Sequence, residues 1–466
     1  MNPITYVVAH TLKVCSCCVR ISAALLVASL CGWTTSAAAW SDHTLCTWYA
    51  LDAQPELAGQ QVVAEPLSQF LQIESHTLPA FLDQEENWAR THLPEYAPRP
   101  DPLRFHAGTG ANLQRAFLLA LRVNALMPMP LFRQLRPGAS VAAARQLDWH
   151  QLTILPDGSG LKNNSFETLA AGEHISAVDV IATAANEPDY GMDLGLWEDN
   201  GTEQGRQAGF GPQPFGNPRF IDSAQAPFHM GFYHEAGIVY RSAPFLKHTY
   251  PQARIHLYLQ LAHFAFAHGH PYWGYRFTGW AMHYAQDLTQ PYHTRVLPGV
   301  GVMRMLWINV LDLAGMHGAK RDAVNLVANR HTVVESYQLS RMVGAIRSGQ
   351  RNDALLQALR DARADDGLKG FKMTDLLAPV TLQSSNAADA LDGQLERSFP
   401  APYTSNPDTV LSDADELAMV SIAQSWSKTE DVKLAQLVAL QLRQFGVVSR
   451  SVVRAALNKD ANAGSL

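Results

Sequence analysis

Alternating apolar and polar residues, the mark of a half-buried strand, are scarce in this chain. Ala, Leu and Gln instead dominate stretches such as 111–127, 253–268 and 431–445, which predicts helices there. Ser412-Asp413-Ala414-Asp415 ahead of an apolar run predicts a further helix start. The expected fold class is therefore all-α. At 466 residues, 47% hydrophobic and 17% charged, the chain has ample material for a buried core and does not have the composition of a disordered or collagen-like sequence. Its formal charge of -6 argues against a basic stripe for nonspecific nucleic-acid binding.

The first 39 residues read as a signal peptide. Lys13 and Arg20 precede an apolar run over 21–33, and Ala37-Ala38-Ala39 supplies a small-residue cleavage pattern. The run is too short to span a bilayer comfortably, so no stable membrane segment is expected after processing. Export to the periplasm or beyond is the expectation. Cleavage would remove two basic residues and no acidic ones, moving the net charge from -6 to -8. Four of the five cysteines would leave with the peptide, so Cys46 alone remains and no intramolecular disulfide can form. Such an exported fold must rely on core size, on metal, or on both.

Three stretches read as irregular: 94–110, 186–226 and 398–407, the last with three prolines and leading into a C-terminal helical segment. An irregular run of about 40 residues inside a compact domain is often functional. The sharpest chemical signal lies further on, in the segment from Gly279 to His293. His283 and Asp287 stand four apart on one helical face. Pro291 should end that helix near Gln290, letting His293 turn back toward Asp287. Two imidazoles and a carboxylate make a fitting donor set for zinc. His331 and Glu335 repeat the four-residue spacing on a second helix. At the expected mature N-terminus, Trp40 would offer an α-amine and a carbonyl, with His43 close by.

An N-terminal Trp, a nearby His, the HxxxDxxxPxH segment from His283 and the later HxxxE pair together resemble the bacterial zinc-dependent phospholipases C. Their superfamily also contains single-strand-specific zinc nucleases. The resemblance covers roughly 40–49 and 186–337. It implies an all-α domain with three zinc ions in a cleft, here elaborated by helical insertions and a C-terminal extension. The implied organisation is a catalytic domain over 40–340 with an insertion near 55–172, followed by a helical extension over 341–466. It further implies an upstream Asp and His, assigned to Asp189 and His229, with Asp193 and His234 as alternatives. One zinc would take Asp189, His229, His283 and Asp287. A second would take His293, His331 and Glu335. The third would take Trp40, His43 and the bridging Asp287.

The ions would activate water and neutralise a phosphodiester oxygen, with Asp189 orienting or deprotonating the water. That chemistry suits any phosphodiester. The expected substrate is a phospholipid, such as phosphatidylcholine, at a membrane surface, giving diacylglycerol and a phosphorylated headgroup. Tyr190, by its place after Asp189, would hold a choline group, with Phe228 and Tyr233 as further aromatic faces. An exported single-strand nuclease or nucleotidase is the alternative, and a noncatalytic zinc-stabilised module is a third reading. The apolar run over 298–311, broken by Arg304, is expected to be a buried core helix, with insertion into a lipid interface as the other possibility.

Overall fold

The computed structural model describes residues 40–52, 54–106, 112–156, 159–216, 221–365, 373–409 and 411–458. The expected signal peptide lies outside them. The chain is all-α, 65% helical with 4% strand. No helix among the described residues is long and apolar enough to cross a membrane.

The helices that build the site are, in chain order, His43–Leu51 (α1), Ala177–Ala184 (α2), Ala226–His229 (α3), Pro251–Ala267 (α4), Pro271–Asp287 (α5) and Pro291–Thr294 (α6). They continue with Val302–Leu313 (α7), Gly318–Arg347 (α8), Ala354–Arg360 (α9), Met373–Ser398 (α10) and Lys428–Leu457 (α11). Helix α5 is the hub. Every residue from Tyr272 to Asp287 is buried, so it has no solvent face, as expected of a helix surrounded by others. It packs against α4, α2 and α11. Proline opens both α4 and α5, where its missing N–H costs nothing. Gly269, at φ +84, turns the chain between them.

Close approach of α5 to α2 depends on Gly279. A Cβ there would meet Ala184 Cβ at 2.5 Å and the Ile181 carbonyl at 2.6 Å. The resulting contact brings the segment after α2, which carries Asp189, beside His283.

Among the described residues, five short strands serve as clamps. In the order of the chain they are Gln61–Val63 (β1), Phe132–Gln134 (β2), Gln146–Leu147 (β3), Phe166–Thr168 (β4) and His174–Ser176 (β5). β1 pairs antiparallel with β5, Val62 opposite Ile175. β4 lies between β2 and β3, also antiparallel, with Arg133 opposite Glu167. β5 runs directly into α2, whose first turn is capped by Ser176 accepting from the Asp179 amide.

The expected helix over 111–127 is shorter than its composition suggests, Asn112–Ala120. Arg122 takes a left-handed φ of 51 and reverses the chain. Asn124 then bonds through its amide to the Met192 carbonyl (2.7 Å) and through its side chain to the Leu194 carbonyl (3.0 Å), exchanging helical bonds for a tether to the site loop. The helices expected near 253–268 and 431–445 form as α4 and α11, and Ser412 caps Asp413–Trp426.

Two large apolar clusters fill the molecule. One joins α4 and α5 to the segment before α2, with Phe70, Phe117, Trp273 and Phe277 at its centre. The other gathers α1, α8, α9 and α11 around Trp40, Trp48, Val333, Leu356 and Phe445. A third, small cluster joins Phe232, Val239, Ala243 and Leu246 to Met305 of α7. Helix α7 departs from the buried core helix expected there. Met305 and Ile308 are its buried residues, while Met303, Trp307, Val310 and Leu313 are 52–77% exposed.

Candidate metal centre

The ligand-type side chains converge on the seam between the two large clusters. His43 comes from the first turn of α1, Asp189 from the 3-10 turn Glu187–Tyr190, and His229 from the end of α3. His283 and Asp287 come from α5, His293 from α6, and His331 and Glu335 from α8. Helix α5 stops at Asp287, and Pro291 opens the next helical turn, so His293 is carried back toward Asp287 as the spacing predicts.

Three groups within this set could hold a metal ion: His43, Asp189 and His283; His229, His283 and Asp287; and His293, His331 and Glu335. The last is the second zinc set inferred from the sequence. The first two overlap at His283 and together hold the other ligand-type side chains expected. Asp287 faces histidines of both groups, its Oδ2 lying 2.8 Å from His229 Nδ1 and 3.4 Å from His283 Nε2, its Oδ1 3.3 Å from His43 Nε2. Asp189 also faces both ways: Oδ1 is 3.6 Å from His283 Nε2 and 3.9 Å from His229 Nδ1, and Oδ2 is 4.0 Å from His43 Nε2. His229 Nδ1 and His283 Nε2 are 3.0 Å apart. A four-coordinate ion with bonds of ~2.0–2.1 Å separates its ligand atoms by ~3.3 Å. The contacts among Asp189 Oδ1, His229 Nδ1, His283 Nε2 and Asp287 Oδ2 bracket that spacing, from 2.8 to 3.9 Å. Two buried atoms aimed into the cluster, Asp189 Oδ1 and His293 Nε2, have no hydrogen-bond partner. The donor set therefore fits a divalent cation.

The imidazoles are oriented from behind. His43 Nδ1 donates to Gln286 Oε1 (2.7 Å), whose own amide donates to Thr47 and Ser449. His283 Nδ1 donates to the Ala185 carbonyl (2.7 Å), and His293 Nδ1 to the His229 carbonyl (3.1 Å). His229 backs through Nε2 onto Asp193 Oδ2 at 3.3 Å. Asp193 in turn accepts from Arg254 and from Tyr284, each at 2.5 Å. Pairing one ring nitrogen with an oxygen while the other faces the cluster fixes tautomer and direction, as metal-ligating histidines require.

The electrostatics divide the side chains of the site. Burial pushes the Asp189 carboxyl up to about 6 against the pull of His43 and His229, with Asp287 adding to the rise. Burial likewise lifts Glu335 well above the carboxylate range. It holds His293 down at about 4 and His283 well below its usual value, which leaves both rings neutral and able to ligate. Burial opposes charge on His229 too, but Asp193 and Asp287 outweigh it and hold that ring at about 10. Asp287 also overcomes burial, kept well below the usual range by its histidines. Among the described residues, the ion-pair partners of Asp189, Asp287 and Glu335 are histidines. The neighbouring arginines are engaged elsewhere, Arg254 by Asp193 and Arg276 by Glu187.

Trp40 is fully buried. Its indole N–H donates to Thr289 Oγ1 (3.0 Å), two residues past Asp287, and its ring meets Phe445 edge-on. Asp42 adopts a left-handed φ of 62 and caps α1 by accepting from the Leu45 amide (2.9 Å), turning the chain sharply between Trp40 and His43. The His43 amide donates to Asn186 Oδ1 (3.0 Å).

The three expected aromatic contacts sit in apolar packing. Tyr190 is 1% exposed, its ring packed near Phe132 and Phe166 and its hydroxyl bonded to Gln134. Phe228 is fully buried among Trp197, Phe210 and Tyr250. Tyr233 is partly buried against the first large cluster. His234, an alternative ligand, bonds to Thr381 (2.8 Å) instead. Asp193, the alternative carboxylate, acts from behind His229. Gln286 and Asn186 were missed. Gln286 stands three residues after His283 and beside Asp287, a position from which a side chain reaches the same site. Asn186 carries no such signal.

Neither a family model, nor a curated protein, nor a solved structure matches this chain.

Proposed function

We propose that this protein is an exported zinc-dependent phosphodiester hydrolase of the phospholipase C type, releasing diacylglycerol and a phosphorylated headgroup. The observation that carries the reading is the convergence of five histidines and three carboxylates, four of the imidazoles oriented from behind by an oxygen. Three zinc ions fit this reading. Asp189, His229, His283 and Asp287 would hold one, and His293, His331 and Glu335 another. His43 and Asp287 would hold the third, completed by the amine and carbonyl of Trp40 once residues 1–39 are removed. Zinc supplies Lewis acidity toward a phosphodiester oxygen and makes water more acidic.

The chain's own residues do the rest. Asp189 has a side chain 15% exposed, against 0% for Asp287 and 5% for Glu335, so it is the carboxylate that solvent reaches. It takes a proton from the attacking water and aims the oxygen at phosphorus. The bond from phosphorus to the diacylglycerol oxygen breaks, and that oxygen leaves with the proton that Asp189 took from water. Asp193 and Gln286 hold His229 and His43 in place throughout. Arg254 and Arg276 are already committed to carboxylates, so contact with the substrate phosphate falls to the metal ions and not to these two side chains.

The test is zinc-loaded protein lacking residues 1–39, assayed in parallel on phosphatidylcholine vesicles and single-stranded DNA. Phosphocholine release that stops on chelation supports the reading. DNA cleavage without lipid cleavage keeps the metal centre and overturns the substrate.

A further inference from the structure

Helix α7 buries one face and leaves an apolar ridge on the other. Met303, Trp307, Val310 and Leu313 recur at spacings of four, three and three, which aligns them along one side. They are 77%, 61%, 52% and 77% exposed, and Met316 just beyond is 54% exposed. Contiguous exposed apolar residues on this scale mark an interaction surface. The ridge sits on the small third cluster through Met305, and the segments Gly237–Ser242 and Pro244–Lys247, which supply Val239 and Leu246 to that cluster, expose Ile238 (46%) and Phe245 (42%).

That cluster is continuous with the metal centre. Met230 and Phe232 follow His229, and Val296, Leu297 and Val300 follow His293. The two segments are tied by the Gly231 amide donating to the His293 carbonyl (2.8 Å). The apolar ridge is therefore mounted on the two loops that leave ligand-type residues.

The charge around it identifies the occupant. From 236 to 311 the sole acidic residue is the buried Asp287, in a chain of net charge -6. Glu235, just before this stretch, is buried against Arg295 at 3.6 Å. Arg241, Lys247 and Arg304 are exposed. On the far side, Asp312 is engaged by Lys320 and His317. An apolar ridge with Trp at its middle and cations at its rim matches the boundary between acyl chains and phosphate headgroups. A symmetric pairing with a second copy would set the same cations against one another.

We propose that α7, with Ile238 and Phe245, is an interfacial docking surface that seats the protein on a phospholipid bilayer beside the metal centre. This deepens, and rests on, the phospholipase reading, because it places a lipid substrate next to the residues that would cleave it.

The experiment compares wild type, a Trp307→Glu/Leu313→Glu variant and Trp307→Phe. Binding to phosphatidylcholine vesicles containing phosphatidylglycerol is measured by flotation, and tryptophan quenching by brominated lipid is read in parallel. Hydrolysis is measured on the same vesicles and on a monomeric short-chain phosphatidylcholine. The Glu variant should bind vesicles ~100-fold more weakly, because each carboxylate must be drawn from water into an apolar layer. Its hydrolysis of the monomeric substrate should stay within ~2-fold of wild type, since both positions are exposed and distant in sequence from the ligands. Trp307→Phe should keep binding and lose most of the quenching. Unchanged vesicle binding in the Glu variant overturns the proposal. So does a wild-type dimer that the Glu variant dissociates without vesicle binding in either form. Vesicle binding through α7 with no hydrolysis of either lipid would overturn the phospholipase reading and leave the docking surface standing.

Discussion

Asp287→Asn is the most demanding test of the centre, because the proposed assignment gives this one carboxylate to two ions. Its Oδ2 approaches His229 and His283, and its Oδ1 approaches His43, all within 2.8–3.4 Å. Asparagine keeps the volume of this fully buried side chain but removes its charge and replaces one oxygen with a donor. Outer partners of metal ligands are worth about 10–100-fold in affinity. Losing a direct ligand should cost at least the lower figure at each group, or about 1.4 kcal/mol twice over. The group of His293, His331 and Glu335 does not include Asp287 and should keep its ion. Under the three-ion assignment, metal content of the folded protein after dialysis against graded chelator, read by mass spectrometry, should fall toward one ion at chelator levels that leave the wild type loaded. Circular dichroism would verify folding. A folded Asp287→Asn protein that retains the wild-type content would refute the bridging role and the assignment built on it.

Asp193→Asn should weaken metal retention by about 10–100-fold through His229 and lower stability to urea by about 3 kcal/mol, because Arg254 loses its buried carboxylate partner. A single residue left ahead of Trp40 should lower metal content by one ion and reduce activity, measured against the protein that begins at Trp40; equal content in the two forms would remove the N-terminal ligand. Protons compete with metal for imidazole and carboxylate, so metal content after dialysis should fall as pH drops from about 7.5 toward 5, and constant content across that range would contradict an imidazole-based centre. Phe445→Ala should cost about 3–5 kcal/mol by opening a cavity beneath Trp40 and His43.

The helix carrying His283 and Asp287 and the helix carrying His331 and Glu335 were legible because the four-residue spacing is a local property. The turn that returns His293 was legible from Pro291. Asp189 and Asp193 could not be separated in sequence. They sit four apart across Gly191, whose φ of +113 redirects the chain. One faces the cluster, and the other reaches His229 from behind. Tyr190 looked like a ligand-facing aromatic because it follows Asp189, yet adjacent residues on a 3-10 turn point in different directions, and its ring turns inward. Helix α7 defeated the reading for another reason. A run rich in apolar residues signals burial, and only the three-dimensional surroundings reveal that nothing among the described residues covers its outer face.

The Gln286 hydrogen bonds also set an order of assembly. Its side chain holds His43 on one side and takes partners from both ends of the described chain, Thr47 and Ser449, which are about 400 positions apart in sequence. Helix α11, which carries Ser449, also packs on α1 and α5. Contacts of such long sequence separation form late, since the intervening loop must be closed first. Closure of the candidate metal centre is therefore expected to be a late folding event, waiting on α11 to dock against α1 and α5.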